Sequence, residues 1–309
     1  MKVLKNELSI LVPCYNEENV LESFLTSITT VMTTLHMHYE IIFINDGSTD
    51  DTLNKLLELK VKNKHIKIIN FSRNFGKEAA LTAGLDHAEA EAIIPIDADL
   101  QDPPYLIVDF VRYWKEGYDV VLAKRIDRSS DNRFKRLSAK YFYRLHNIIG
   151  QKIPENVGDY RLMSKKVVNA IKQMPENQRF MKGIFSWVGF KTKTLEYTRE
   201  ERVSGNTSFS VWKLWNLALE GITSFSTMPL RIWLYIGTLV SSLSFIYGSF
   251  IILRTLLHGT DLPGYASLLV AILFLGGLQL IGIGVLGEYI GRIYMESKNR
   301  PVYIVESLY

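Results

Sequence analysis

Two segments, Ile232 to Leu253 and Ala266 to Leu286, each hold about 20 apolar and small residues, long enough to cross the hydrocarbon core of a bilayer as helices. The first two thirds of the chain read as ordinary soluble protein, a division that the mean hydropathy of +0.05 conceals. A soluble domain tethered to a membrane by two spans is therefore expected. Arg231 precedes the first span, and Arg292, Lys298 and Arg300 follow the second, whereas the connection carries only Arg254, His258 and Asp261. The positive-inside rule then places both ends in the cytosol. The start of the chain agrees, because Met1 to Glu7 is charged and the apolar run Leu8 to Val12 is too short for a signal-peptide core. Ahead of the first span, Phe209, Trp212, Trp215, Leu219 and Ile222 recur at helical spacing, which suits either a helix lying in the membrane interface or one packed on a core. The expected divisions are residues 1–205, a juxtamembrane helix over 206–230, and a two-span hairpin with its cytosolic tail over 231–309. Gly276, Gly277, Gly282, Gly284 and Gly287 permit close helix contact, within the hairpin or between copies in a homo-oligomer.

The soluble part alternates short apolar runs with helical patterns. Strands are expected at Leu8 to Val12, Tyr39 to Ile44, Ile66 to Phe71, Ala92 to Ile96 and Asp119 to Ala123. Helices are expected at Glu17 to Leu35, from a cap at Ser48 or Asp50 through Leu59, at Ala79 to Ala90, and at Tyr105 to Trp114. This rhythm predicts an α/β fold, a mainly parallel sheet with helices on both faces. In such sheets ligands bind beyond the carboxyl ends of the strands. Those ends carry Pro13-Cys-Tyr-Asn-Glu17, Asn45-Asp-Gly-Ser48, Ser72-Arg-Asn-Phe-Gly-Lys77 and Asp97-Ala-Asp99, so polar loops converge on one crevice.

Asp97 and Asp99 flank one small residue at a strand end. Residues i and i+2 of an extended chain face the same way, and paired hard oxygens suit Mg²⁺ or Mn²⁺ bridging phosphates. Composition narrows the field further. The only cysteine, Cys14, excludes an internal disulfide and a Cys-rich metal site, and it reads as a packing residue. A net charge of +4 is too mild to imply nucleic acid. Basic residues nevertheless crowd Lys124 to Lys140, including Arg125, Arg128, Arg133, Lys135 and Arg136, either as a solvated helix face or as a phosphate-binding patch.

Four motifs in order, Val12-Pro-Cys-Tyr-Asn-Glu-Glu18, Ile44-Asn-Asp-Gly-Ser-Thr-Asp50, Asp97-Ala-Asp-Leu-Gln-Asp-Pro103 and Gly158-Asp-Tyr-Arg-Leu162, make the chain resemble family-two glycosyltransferases of the GT-A fold. Within that family it is similar to the polyprenyl-phosphate enzymes related to dolichyl-phosphate mannose synthase, above all the bactoprenol glucosyltransferases of O-antigen modification. The resemblance implies inverting transfer of a hexose, glucose from UDP-glucose by overall likeness, to undecaprenyl phosphate at the bacterial inner membrane. A mannose, amino-sugar or modified-pentose donor and a non-catalytic membrane scaffold are the alternatives. It also implies nucleotide-sugar binding by Pro13, Tyr15, Glu17, Asp46, Lys77, Asp97 and Gln101, with Asp99 and Gln101 engaging a Mg²⁺ or Mn²⁺ ion. Asp99 and Asp159 stand at the family's catalytic positions, Asp159 either as a base or as a positioning residue. Arg125, Arg133, Arg136, Ser138 and Arg202 are the candidates for the acceptor phosphate, because Arg offers paired planar donors; Arg133 and Arg136 are interchangeable at this level. The segment Val203 to Ser208 has the place of a lid or a plain linker.

Overall fold

The computed structural model describes residues 6–126, 156–177, 179–198, 227–258 and 264–309. They fall into two compact units, Met1–Trp215 with Arg300–Tyr309, and Asn216–Asn299.

The first unit is built on one sheet of eight strands: β1 (Leu8–Cys14), β2 (Tyr39–Asn45), β3 (Ile66–Phe71), β4 (Ala92–Pro95), β5 (Val120–Arg125), β6 (Val157–Ser164), β7 (Thr192–Tyr197) and β8 (Val305–Leu308). Helices α1 (Leu21–Leu35), α2 (Thr52–Lys62), α3 (Lys77–His87), α4 (Leu106–Lys115), α5 (Lys165–Lys172) and α6 (Met181–Trp187) accompany it. The strand order is β7-β5-β6-β4-β1-β2-β3-β8. β1 pairs in parallel with β2 and β4, β2 with β3, and β5 with β7. The order runs outward from β1 in both directions, so the switch point where α/β sheets take ligands lies between β1 and β4.

Two strands depart from the parallel pattern. β6 lies antiparallel between β4 and β5, and β8 antiparallel on the outer edge of β3. Neither has the apolar run that marks β1 or β2: β6 carries Asp159 and Arg161, and β8 is four residues long. Residues 300–309, read from the sequence as a tail, thus complete the sheet of the N-terminal unit.

Period-two alternation sorts the core. Leu8, Ile10 and Val12 of β1 share one buried cluster with Phe24 and Ile28 of α1 and Phe110 of α4. Leu11 faces the other way, where α3 packs so closely that a Cβ on Gly84 would meet Leu11 and Ile44 at 3.1 Å. Each fully buried side chain of this size contributes about 1.5–3 kcal/mol. α1 buries Leu21, Phe24, Ile28 and Met32, one stripe at helical spacing. It begins at Leu21, four residues later than the sequence predicts, because the preceding turn is tied elsewhere: the amide of Glu17 donates to Thr52 Oγ1 at 2.9 Å and that of Glu18 to Asp50 Oδ2 at 3.3 Å. Asp50 also accepts the Thr52 amide at 3.0 Å at the start of α2, while Ser48 serves Asn16.

The second unit consists of α7 (Met228–His258) and α8 (Tyr265–Ser297), each extending beyond the predicted span at both ends. Both are long and apolar enough to cross a membrane, and large apolar side chains such as Leu234, Phe245, Leu273 and Ile283 point outward along their length. Of the six glycines of α8, only Gly282 has a neighbour among the described residues where a Cβ would sit, the indole of Trp233. That glycine lets the two helices touch. Residues 206–226 of the expected juxtamembrane helix lie outside the described residues.

Candidate active site

At the carboxyl ends of β1, β2 and β4 lies a cavity of about 330 Å³, lined by Pro13, Tyr15, Glu17, Asp46, Asn74, Lys77, Asp97 and Asp99 among others. Its size falls at the small end of ordinary ligand sites. Four loops give it shape. The loop after β1 is fastened to the loop after β2: the Asn16 amide donates to Ser48 Oγ at 3.0 Å and the Thr49 amide to Asn16 Oδ1 at 2.8 Å. Asn16 takes a left-handed φ of 57° to do so, which asparagine tolerates well. Tyr15 is left 47% exposed, its ring open to a planar partner. The loop after β3 is held by Asp46, whose two oxygens accept the amides of Phe75 at 2.7 Å and Gly76 at 2.9 Å. Burial pushes the Asp46 carboxyl up, and those two amides partly offset the push. An ionised carboxylate has about four acceptor sites, so Asp46 retains capacity toward a ligand. Residues 9–172 of this chain match the family described as glycosyl transferase family 2. The chain belongs to that family.

Residues 228–293 match the GtrB C-terminal hairpin, which covers α7 and most of α8. The chain is 57% identical over 301 residues to the prophage bactoprenol glucosyl transferase homolog of Escherichia coli (strain K12), covering 97% of this chain and 98% of that one. It is 56% identical over 302 residues to the bactoprenol glucosyl transferase of Shigella phage SfV, with 97% and 98% covered. Among solved structures, the glucosyl-3-phosphoglycerate synthase of Mycobacterium tuberculosis in complex with uridine diphosphate shares the fold, with a TM-score of 0.50 at 18% identity over 71% of this chain and 79% of that one.

In this glycosyltransferase the acidic loop after β4 is tightly wound. Leu100 adopts a φ of 57°, a conformation costing a non-glycine residue about 1–2 kcal/mol, and the turn brings the Gln101 amide to Asp99 Oδ1 at 3.1 Å. Gln101 itself is buried, is not among the residues lining the cavity, and its Oε1 has no hydrogen-bond partner among the described residues. Lys77, the first residue of α3, reaches Asp97 at 2.6 Å and Asp159 at 3.0 Å. That lysine joins β6 to the cavity. Burial alone would lower the Lys77 pKa, but Asp97 and Asp159 together hold it above the ordinary lysine value. Burial pushes the Asp159 carboxyl up, and the charges of Lys77, Lys182 and Arg161 outweigh it, so the group stays below the usual carboxylate range.

Sequence reasoning missed three members of this cluster. Arg161, two residues from Asp159 on the same face of β6, is buried with its guanidinium over the Phe185 ring at 4.3 Å; burial pulls it down to about 10, still cationic at neutral pH. Lys182 arrives from α6. Glu78, beside Lys77, accepts the Met181 amide at 2.9 Å. Burial and the nearby charge of Asp159 push its carboxyl up to about 7 from 4.5. Only the Arg of Gly158-Asp-Tyr-Arg-Leu162 carried a signal in the sequence; Glu78 and Lys182 become neighbours through folding alone. The Glu78 shift has a stability consequence. As pH rises from about 4.5 to 7 the unfolded chain releases this proton and the folded chain keeps it, so folding stability falls across that window. Glu78→Gln, which retains an acceptor for Met181, is expected to flatten that slope and to be more stable than the parent at pH 8 by roughly 1–3 kcal/mol, read as the urea midpoint at a series of pH values.

Arg125 ends β5 away from the cavity lining. Its neighbour is Tyr197, whose hydroxyl donates to Asp102 at 2.5 Å; burial and Asp102 raise the Tyr197 pKa, and Arg125 partly offsets them. Arg133, Arg136, Ser138 and Arg202 lie outside the described residues. Cys14 is buried beside the site, and burial with the charges of Glu17 and Asp97 pushes its thiol well up, the opposite of an activated nucleophile.

Proposed function

We propose that this glycosyltransferase transfers glucose from UDP-glucose to undecaprenyl phosphate at the cytosolic face of the bacterial inner membrane, with inversion at the anomeric carbon. The observation that carries the reading is the charge of the cavity at the switch point. Among the described residues, Glu17, Asp46, Asp97 and Asp99 line it against one cation, Lys77, which is already shared with Asp97 and Asp159. Four carboxylates around one shared lysine favour entry of a diphosphate together with a cation. Sugar and acceptor come from the full-length relatives, whose names give a glucosyl group and bactoprenol.

One of the two expected donors is in place for a divalent ion. Asp99 presents a carboxylate on the cavity wall, whereas Gln101, expected from the sequence to share the ion, is turned away from the lining. Among the described residues no three His, Cys, Asp or Glu side chains form a metal group, so phosphate oxygens and water would complete the shell, as is usual for Mg²⁺ with nucleotides. When bound, the ion neutralises charge on the departing diphosphate. Tyr15 and Pro13 take the base, and Glu17 and Asp46 accept from its ring N–H or from ribose hydroxyls. An acceptor phosphate oxygen attacks the anomeric carbon as the bond to the diphosphate oxygen breaks. With its second pKa about 6, that phosphate is largely a dianion at neutral pH and needs no strong base. Asp159, held ionised by three cations, is a weak one; it serves by fixing Lys77. Arg125 with Arg133 or Arg136, Ser138 and Arg202 grips the acceptor phosphate.

The position of β8 supports the topology. The strand follows α8 in the chain yet belongs to the same sheet as β1, which agrees with a chain that leaves this unit and returns to it. An even number of crossings fits that return, and the flanking positive charges support the cytosol as the side of this unit.

The test uses purified protein, radiolabelled UDP-glucose, undecaprenyl phosphate and Mg²⁺ or Mn²⁺. Label is expected in an organic-extractable lipid and is expected to disappear with chelator. Label from a different nucleotide sugar alone would replace glucose, and no transfer from any donor would overturn the reading.

A further inference from the structure

We infer that the C-terminal segment is a working part of the donor cavity and that Tyr303 is a positioning residue for the loop at residues 72–76. The segment lies beyond both matched regions, which end at residues 172 and 293. The effect expected on donor affinity rests on the function proposed above; the positioning does not.

Two routes run from the tail to Asp46. The first is aromatic. The Tyr303 ring stacks on Phe71 at 5.2 Å and 14°, Phe71 meets the edge of Phe75 at 5.7 Å and 89°, and the Phe75 amide donates to Asp46. The Arg73 guanidinium lies over the Phe75 ring at 4.5 Å. Tyr303 is itself anchored, donating its hydroxyl to Asp86 Oδ2 of α3 at 3.0 Å. The second route is polar. Glu306 Oε2 accepts from Asn70 at 2.8 Å, and Asn70 Oδ1 accepts from Asn45 at 2.7 Å, the residue before Asp46. Between them the Ser72 amide donates to Ile304 O at 3.2 Å, tying the first residue of the loop to the tail.

The strand alone does not explain this arrangement. β8 pairs with β3 at Ile69, Asn70 and Phe71, and its register shifts at the last step, where the side-chain contacts take over. Those contacts bear on residues that line the cavity, since Asn74, Gly76 and Lys77 follow directly from Phe71. A loop carried only by Asp46 would open more often. An aromatic pair of this kind is worth roughly a factor of 2–10 in an equilibrium.

Hydrogen exchange on the full-length protein in detergent tests the positioning without any ligand. Tyr303→Ala is expected to speed exchange of the Phe75 and Gly76 amides about fivefold while amides of β1 and β4 stay as in the parent. Tyr303→Phe, which keeps the ring and loses the bond to Asp86, is expected to recover most of the protection. In the transfer assay Tyr303→Ala is expected to raise KM for the nucleotide sugar several-fold and leave KM for the polyprenyl phosphate unchanged. Unaltered loop exchange, or faster exchange spread evenly over the sheet, would overturn the inference and leave the tail a plain edge strand. Should Tyr303→Ala fail to fold, Glu306→Ala, which removes the acceptor for Asn70, is expected to speed exchange of the same loop amides, and unaltered loop exchange there would equally overturn the inference. A parent protein that consumes no nucleotide sugar would sink the donor reading, and the exchange result would still decide this one.

Discussion

Replacing Asp99 by Ala is expected to lower the transfer rate by at least about a hundredfold, the usual scale for removing one fixed electrostatic partner of a developing charge. Asp99 lines the acidic cavity, and its Oδ1 also accepts the Gln101 amide at 3.1 Å, so alanine removes both a charge and a turn contact. Asp99→Asn separates the two, because its amide oxygen can still accept from Gln101. If charge is what matters, Asn and Ala fall together in initial rate, and both lose the metal-dependent part of UDP affinity measured by calorimetry. An Asn variant within about threefold of the parent would transfer the role from the carboxylate to the shape of the turn.

The largest expected effect on stability comes from Gly47→Ala. Gly47 has a φ of 61°, and a Cβ there would overlap the backbone of Arg73 and Asn74. The left-handed conformation costs about 1–2 kcal/mol for alanine, and displacing a backbone segment that Asp46 holds by two amides adds about 1–3 kcal/mol. A total of about 3 kcal/mol corresponds to a fall in melting temperature of roughly 6–12 °C for a unit of this size. Gly76 is the control: its φ is 97°, but nothing lies within 4 Å of where its Cβ would sit. Gly76→Ala therefore carries conformational strain without collision, and it is expected to melt above Gly47→Ala. Equal melting temperatures would show that the approach of Gly47 to the loop at 72–76 is unimportant.

Much of this architecture is legible from apolar runs and the polar motifs that end them. β1, β2 and β4 are buried along nearly their whole length, so burial, the commonest signal, identifies them, and the loops at their ends follow. Tyr15, Asp46, Asp97 and Asp99 meet in one cavity because parallel strands deliver their carboxyl ends to one side. Long-range polar contacts are another matter. Nothing local distinguishes Glu78 from a solvated helix residue, and its burial depends on α6, about 100 positions away. Gln101 lies one turn from Asp99 and reads as its companion, yet the left-handed Leu100 sends it into the protein. β8 is four residues with alternating exposure; only the open edge of β3 makes it a strand.

That edge sets an order of events in the cell. During synthesis β3 is complete once residue 71 has emerged, but its outer N–H and C=O groups wait for residues 305–308, made after both α7 and α8. Unpaired edges invite pairing with other chains, so a ribosome that stalls within the hairpin releases a sheet left open. The sheet reaches its final form only when both long apolar helices have been made and the last residues have paired with β3.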